Sequence, residues 1–155
     1  MRKSFVKQNL CYTLVMESEI KFSKDDEKRL RDLPVSTLVL FGSRVQGIAK
    51  DDSDYDIGVL VSDYGVLNDR KTRGEIYDSL YDILSARIAK LVDIDIVFLV
   101  EAPAELKAHV VKYGRLLYGD PTAFARFKER EIIAYADFAP LREMFQKAAL
   151  ARIAL

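Results

Sequence analysis

The clearest chemical signal in the sequence lies in "LFGSRVQGIAKDDSDYDIGVLV" (40–61), where an apolar run breaks at Gly42-Ser43 and the next begins behind Asp54 and Asp56. The two aspartates are two positions apart, so on an extended chain both leave the same face, with Cα atoms roughly 6–7 Å apart. Carboxylates that close repel one another. At the mouth of an apolar strand each is also costly to desolvate without a partner. A divalent cation removes both conflicts, and acids converging on an oxygen-loving metal are the usual machinery of phosphoryl and nucleotidyl transfer. Gly42-Ser43 supplies the complementary half: glycine lets backbone amides approach phosphate oxygens, and the Ser43 hydroxyl adds a donor.

The neighbouring acids read differently. Asp51 and Asp52 belong to a solvated turn, and Gly47 serves a turn. Asp52, Asp54 and Asp56 have the one-three-five spacing of a calcium loop, but Ile57 replaces the sharp-turn glycine and Asp63 the bidentate glutamate, so that motif fails. A third carboxylate is available in "VDIDIVFLV" (92–100), where Asp93 and Asp95 share one parity and Ile94, Ile96 and Phe98 the other. Parity leaves both open. Cys11 is the only cysteine and His109 the only histidine, so a metal here takes oxygen ligands and is of the Mg²⁺, Mn²⁺ or Ca²⁺ class.

These residues need elements to hold them. Residues 23–33 open with a Ser cap and first-turn acids, the start signal of a helix that Pro34 ends. "STLVLF" (36–41) and "YDIGVLV" (55–61) read as strands, with Gly42 stopping the first. From Asp69 to Leu91 apolar residues recur at helical spacing (Ile76, Leu80, Ile83, Leu84, Ile88, Leu91). Arg87 falls on that apolar side and is expected to extend its charge to solvent. Residues 92–100 are a third strand, and 103–113 a helix opened by Pro103 with Gly114 at its C′ position. "RLLY" is a short edge strand, and 121–155 is helical with a break near "DFAP". The order predicts one α/β (α+β) domain: a small mixed sheet flanked by helices, with a C-terminal helical extension.

We divide the chain into an N-terminal extension (1–22), a catalytic domain (23–120) and a helical tail (121–155). "MESEIKFSKDDEKRL" from Met16 reads as an alternative start. The chain has 155 residues, with Lys+Arg and Asp+Glu both 24. It therefore carries no basic field for general nucleic-acid binding. No apolar run is long enough for a bilayer and the N-terminus lacks a cleavable signal, so a cytoplasmic protein is expected.

"GSRVQGIAKDDSDYD" is a Gly-Ser, ten residues, then Asp-x-Asp, and resembles the signature of the DNA polymerase β-type nucleotidyltransferase superfamily. With "DIDIVFLVEAP", "LKAHVVKYGRLLYGDP" and the tail pattern "YADFAP", the chain is similar from about Thr37 to Leu141 to the minimal nucleotidyltransferases of the MntA antitoxin type. The resemblance implies a polymerase-β-like fold with a two-metal Mg²⁺ site held by Asp54, Asp56 and a third acid. Alignment through "DIVFL" makes that acid Asp95. It implies ATP as substrate, its β/γ-phosphates on Gly42 and Ser43, with Arg44 touching the triphosphate. It further implies AMP transfer to a tyrosine of a HEPN-type toxin (HepT) as the cognate partner.

Two other readings compete: a non-catalytic subunit that binds nucleotide or toxin, and a small-molecule nucleotidyltransferase of the aminoglycoside-modifying kind, against which the short tail argues. His109 reads as a structural residue of its helix, away from the acids. Tyr77, Tyr81, Tyr113 and Tyr118 suit packing, with self-modification as a lesser option. The tail apolars Ile132, Ile133, Phe138, Met144 and Phe145 either pack on the sheet or meet a partner, a homodimer included.

Overall fold

A computed structural model describes residues 20–88 and 91–153. Most of the expected N-terminal extension, with the alternative start at Met16, lies outside the described residues. Residues 20–22 already join the core: Ile20 is buried, and Phe22 meets Tyr118 edge-on at 6.2 Å between centroids.

Helix α1 (Lys24–Asp32) starts where its cap predicts. The Ser23 hydroxyl accepts from the Asp26 amide at 3.2 Å, and the Asp26 carboxylate accepts from the Ser23 amide at 2.8 Å, a reciprocal capping box. Four strands follow the apolar runs: β1 (Val35–Phe41), β2 (Tyr55–Val61), β3 (Ile94–Phe98) and β4 (Arg115–Gly119). Their order across the sheet is β3-β2-β1-β4. β1 pairs antiparallel with β2 and with β4, whereas β2 and β3 run parallel. A parallel pair needs a crossover. Helix α2 (Arg70–Arg87) provides it.

Alternation along the strands divides the core in two. Leu38, Leu40, Ile57 and Val59 face Leu30 of α1 and Ile76, Leu80, Ile83 and Leu84 of α2. Val39, Phe41 and Leu60 face the other way, against Val110 of α3 (Ala104–Tyr113) and Phe124 and Phe127 of α4 (Pro121–Asp137). Helix α5 (Ala139–Ile153) packs chiefly on α4. The tail thus reaches the sheet through Phe124 and Phe127, while Ile132, Ile133, Phe138, Met144 and Phe145 stay exposed. No helix among the described residues is long and apolar enough to cross a membrane.

Three sequence expectations need correction. Helix α2 ends at Arg87, not Leu91, whose side chain is fully exposed. The chain must turn back there so that β3 can enter in register with β2, and the Tyr55 amide already donates to the Asp93 carbonyl at 2.9 Å. Arg87 is exposed but does not leave its charge to solvent alone: its Nε lies 2.5 Å from the buried Asp26 carboxylate and its Nη2 donates to Ser23 Oγ at 3.2 Å. It ties the end of α2 to the cap of α1. The Ser23 amide, and then Arg87, hold the Asp26 carboxyl below the ordinary carboxylate range. Gly114 ends α3 with φ −59°, outside the left-handed region. Close approach explains the glycine there, because a Cβ would stand 2.4 Å from the Val110 carbonyl oxygen and 2.8 Å from Val39 Cγ1.

Candidate active site

β1 exits, and β2 and β3 enter, at the same edge of the sheet. The register pairs Phe41 with Asp56 and Asp56 with Asp95. Asp56 shares its parity with Leu60, so its side chain lies on the sheet face covered by α3 and α4. Immediately after Phe41 the chain makes a 3₁₀ turn over Gly42–Arg44, with Gly42 at φ +75°. A Cβ on Gly42 would fall 2.0 Å from Asp56 Oδ2, so the carboxylate presses on the space a side chain would need. Glycine is required here twice, for the left-handed backbone and for this contact.

Asp54 and Asp95 are exposed and Asp56 is half-buried. Burial pushes the Asp56 carboxyl above its ordinary value, and the charges of Asp95 and Asp54 push it the same way; His109 opposes them. The three aspartates expected from the sequence are therefore one electrostatic group. Asp93 lies just before β3, two residues back from Asp95, which pairs with Asp56. The register thus puts Asp95, rather than Asp93, beside Asp56.

Arg44 is only 9% exposed. Its Nε donates to the carbonyls of Ser53 (3.1 Å) and Asp54 (3.2 Å), Nη2 donates to the Ser53 carbonyl as well, and the guanidinium lies over the Tyr55 ring at 3.8 Å. A buried cation needs this many partners. Arg44 draws the end of the loop onto the start of β2 and orients the backbone that carries Asp54. The Ser43 carbonyl accepts from the amides of Gln46 and Ile48, which folds the loop back on its turn. Asp51 and Asp52 are exposed, as a solvated turn requires.

His109 is the residue sequence reasoning misplaced. α3 packs against the Gly42–Arg44 turn, and His109 Nε2 lies 3.0 Å from Gln46 Nε2 while its charge acts on Asp56. It is near enough for its charge to act on Asp56, not away from the acids. Helical spacing assigns a face of α3 but not which strand end that face crosses, so no signal in the sequence marks it.

Among the described residues no group of three or more His, Cys, Asp or Glu side chains is arranged to hold a metal ion. The donor chemistry nonetheless fits a hard cation. Asp54, Asp56 and Asp95 offer only carboxylate oxygens, and the mutual repulsion felt at Asp56 is what a divalent ion relieves.

The family model described as polymerase beta, nucleotidyltransferase, matches residues 24–122. The chain belongs to this nucleotidyltransferase family. No curated protein sequence matches this nucleotidyltransferase. Among solved structures it is similar to a toxin–antitoxin crystallised with AMP-PNP, at 28% identity and a TM-score of 0.62 over 83% of this chain and 99% of that one. An MntA–HepT toxin–antitoxin structure is 26% identical with a TM-score of 0.57, covering 83% of this chain and 99% of that one. A complex of a tri-AMPylated HEPN toxin with the MNT antitoxin from Shewanella oneidensis is 27% identical, with a TM-score of 0.57 over 81% of this chain and 96% of that one.

Proposed function

We propose that this nucleotidyltransferase is a Mg²⁺-dependent protein adenylyltransferase, an antitoxin that moves AMP from ATP onto a tyrosine of a cognate HEPN-type toxin. The observation that carries the reading is the meeting of Asp56 with both the Gly42-Ser43 turn and Asp95 at one sheet edge, in a chain similar to an antitoxin solved with its AMPylated toxin. Residues 23–120 form the transferase unit and the tail of 121–155 extends it.

The amides of the Gly42–Arg44 turn and the Ser43 hydroxyl bind the β- and γ-phosphates. Asp54, Asp56 and Asp95 would hold the metal, which would supply charge neutralisation to the triphosphate. Asp95, exposed on the edge strand, takes the proton from the incoming tyrosine hydroxyl. That oxygen bonds to the α-phosphorus in line, the bond from the α-phosphorus to the α–β bridging oxygen breaks, and pyrophosphate leaves with the electron pair. Arg44 keeps the loop fixed on β2 so that Asp54 stays aimed while the triphosphate enters and leaves.

The test is intact mass spectrometry of the purified protein incubated with its HEPN partner, ATP and Mg²⁺. The partner is expected to gain AMP, and EDTA, Asp54→Asn or Asp56→Asn to abolish the gain. A folded wild type that leaves its true partner unmodified overturns the reading and leaves a binding subunit.

A further inference from the structure

The sheet ends on β3, and among the described residues no strand pairs with its outer side. The Tyr55 amide donates to the Asp93 carbonyl at 2.9 Å, and the Leu99 amide to the Val59 carbonyl at 3.0 Å. Backbone groups alternate sides along a strand. Asp93, Asp95, Val97 and Leu99 therefore turn theirs to β2, and Ile94, Ile96 and Phe98 turn theirs outward. An exposed edge is usually blunted by a bulge, a proline or a basic side chain. β4, at the other end of the sheet, has a register shift against β1 and begins with Arg115. β3 has none of these devices. Its pairing with β2 runs unbroken from Ile94 to Phe98, and its one charge is Asp95 of the acid group.

A groove of about 490 Å³ lies between this edge and α2, lined by Gly74 and Tyr77 of α2 and by Ile96, Val97 and Phe98 of β3. Gly74 sits in the interior of α2, where glycine is less favourable than alanine. Packing does not account for it, because a Cβ there would meet nothing within 4 Å. Nor does backbone geometry, since Gly74 is not among the glycines with positive φ. Tyr77 stacks on Tyr81 one helical turn away, with 6.5 Å between centroids and 12° between ring planes. Tyr81 in turn lines a hollow at the Ile94 end of the strand. An aromatic wall thus follows β3 along its length.

The open edge and the acids are parts of one strand, since Ile96, Val97 and Phe98 directly follow Asp95. A strand added on the outer side lies about 4.8 Å from β3. Its residue beside Asp95 points to the same sheet face as that carboxylate, and the residues flanking it point to the α2 face, beside Tyr77. We propose that β3 is the docking edge for the protein acceptor. An extended segment of the partner adds to the sheet as a fifth strand, with its tyrosine beside Asp95 and an apolar neighbour in the groove against Gly74 and Tyr77. The outward backbone groups of Ile94, Ile96 and Phe98 supply the hold, and the groove sets the register. A tyrosine inside a helix cannot pair in this way, so the acceptor lies in a tail or loop. The inference rests on the transferase reading and adds to it how the acceptor is presented.

Two variants alter the groove and leave the acids alone. Gly74→Leu fills it with a better helix former, and Tyr77→Asp puts a charge in it; the positions are half-buried and exposed, and thermal melts check the fold. Steady-state AMP transfer to the purified HEPN partner is followed by intact mass, and ATP binding with Mg²⁺ by calorimetry. Each variant is expected to raise the KM for the partner about tenfold, with kcat within about threefold and ATP affinity within about twofold of wild type. An unchanged KM in both folded variants overturns the proposal. Lost ATP affinity also overturns it, because the groove then serves the nucleotide. Amide hydrogen exchange, read by NMR on the ¹⁵N-labelled wild type, supplies a check without mutation. The Ile96 and Phe98 amides are expected to slow at least about tenfold when the partner is added. No change at these amides refutes strand addition. The same slowing on raising the concentration of the chain alone assigns the edge to a second copy and refutes the proposal as well. A wild type whose edge amides slow while its partner gains no AMP keeps the docking edge and removes the transferase reading.

Discussion

Gly42 and Gly47 share a left-handed backbone, φ +75° and +71°, in contrasting surroundings. A Cβ at Gly47 would meet nothing within 4 Å, whereas one at Gly42 would stand 2.0 Å from Asp56 Oδ2 and 2.8 Å from Asp56 Cγ. Alanine at either position carries the left-handed backbone cost of about 1–2 kcal/mol. At Gly42 the added atom overlaps a side-chain tip rather than backbone, so Asp56 rotates aside for a further cost of about 0.5–1.5 kcal/mol. At 2–4 °C per kcal/mol for a domain of this size, Gly47→Ala is expected to lower Tm by about 2–8 °C and Gly42→Ala by a few degrees more. Activity separates the two far more sharply. Displacing a reacting group by about 1 Å costs on the order of 100-fold in rate. Gly42→Ala should lose about that much AMP transfer, with Gly47→Ala within about threefold of wild type. The assay is the initial rate of partner modification at a temperature where both variants are folded. Equal activity in the two would refute the close packing of Asp56 on Gly42; equal loss in both would place the sensitivity in loop strain instead.

Two further substitutions test the electrostatics and the core. Because the Asp56 carboxyl is raised in the fold, the native state holds its proton more tightly than the unfolded chain does. That contribution is full below the ordinary value of 3.8 and is lost as pH rises through the raised value. In EDTA, Asp56→Asn should therefore melt above wild type at neutral pH, with the gap closing below about pH 3.8. A wild type that is the more stable at neutral pH would contradict the repulsion among Asp54, Asp56 and Asp95. Thr37 is fully buried in β1, and its hydroxyl has no hydrogen-bond partner among the described residues. Thr37→Val should stabilise the protein by about 1 kcal/mol, or 2–4 °C in Tm; an unchanged or lower Tm would show the hydroxyl to be satisfied.

Local chemistry was legible in the sequence, and long-range placement was not. Ser23 announced α1 because a capping box is written within four residues, and 55–61 is a strand from end to end because its apolar run has turn residues on both sides. Asp54 and Asp56 were recognisable since their incongruity is local: charges at the mouth of a buried strand. Parity left Asp93 and Asp95 equivalent, since it cannot count along a neighbouring strand; the family resemblance chose Asp95, and the β2–β3 register pairs that residue with Asp56. Leu91 continued the α2 period but lies past its end, which is set by where β3 must begin. Arg87 and His109 were misread for one reason: each finds its partner more than sixty residues away, on an element the local pattern does not name.

The pairing of the strands also sets the order in which the site can come into being. β1 and β2 are neighbours in sequence, joined by one loop, so the Gly42 turn and Asp56 can meet early in folding. Asp95 arrives only when the chain has passed through the whole of α2 and docked β3 in parallel, a closure of far longer range. A chain with the first pair of strands alone therefore has the Gly42 turn, Asp54 and Asp56 but lacks Asp95, the proposed proton acceptor. The three-aspartate group is thus complete only after a longer-range closure than the one that joins the Gly42 turn to Asp56.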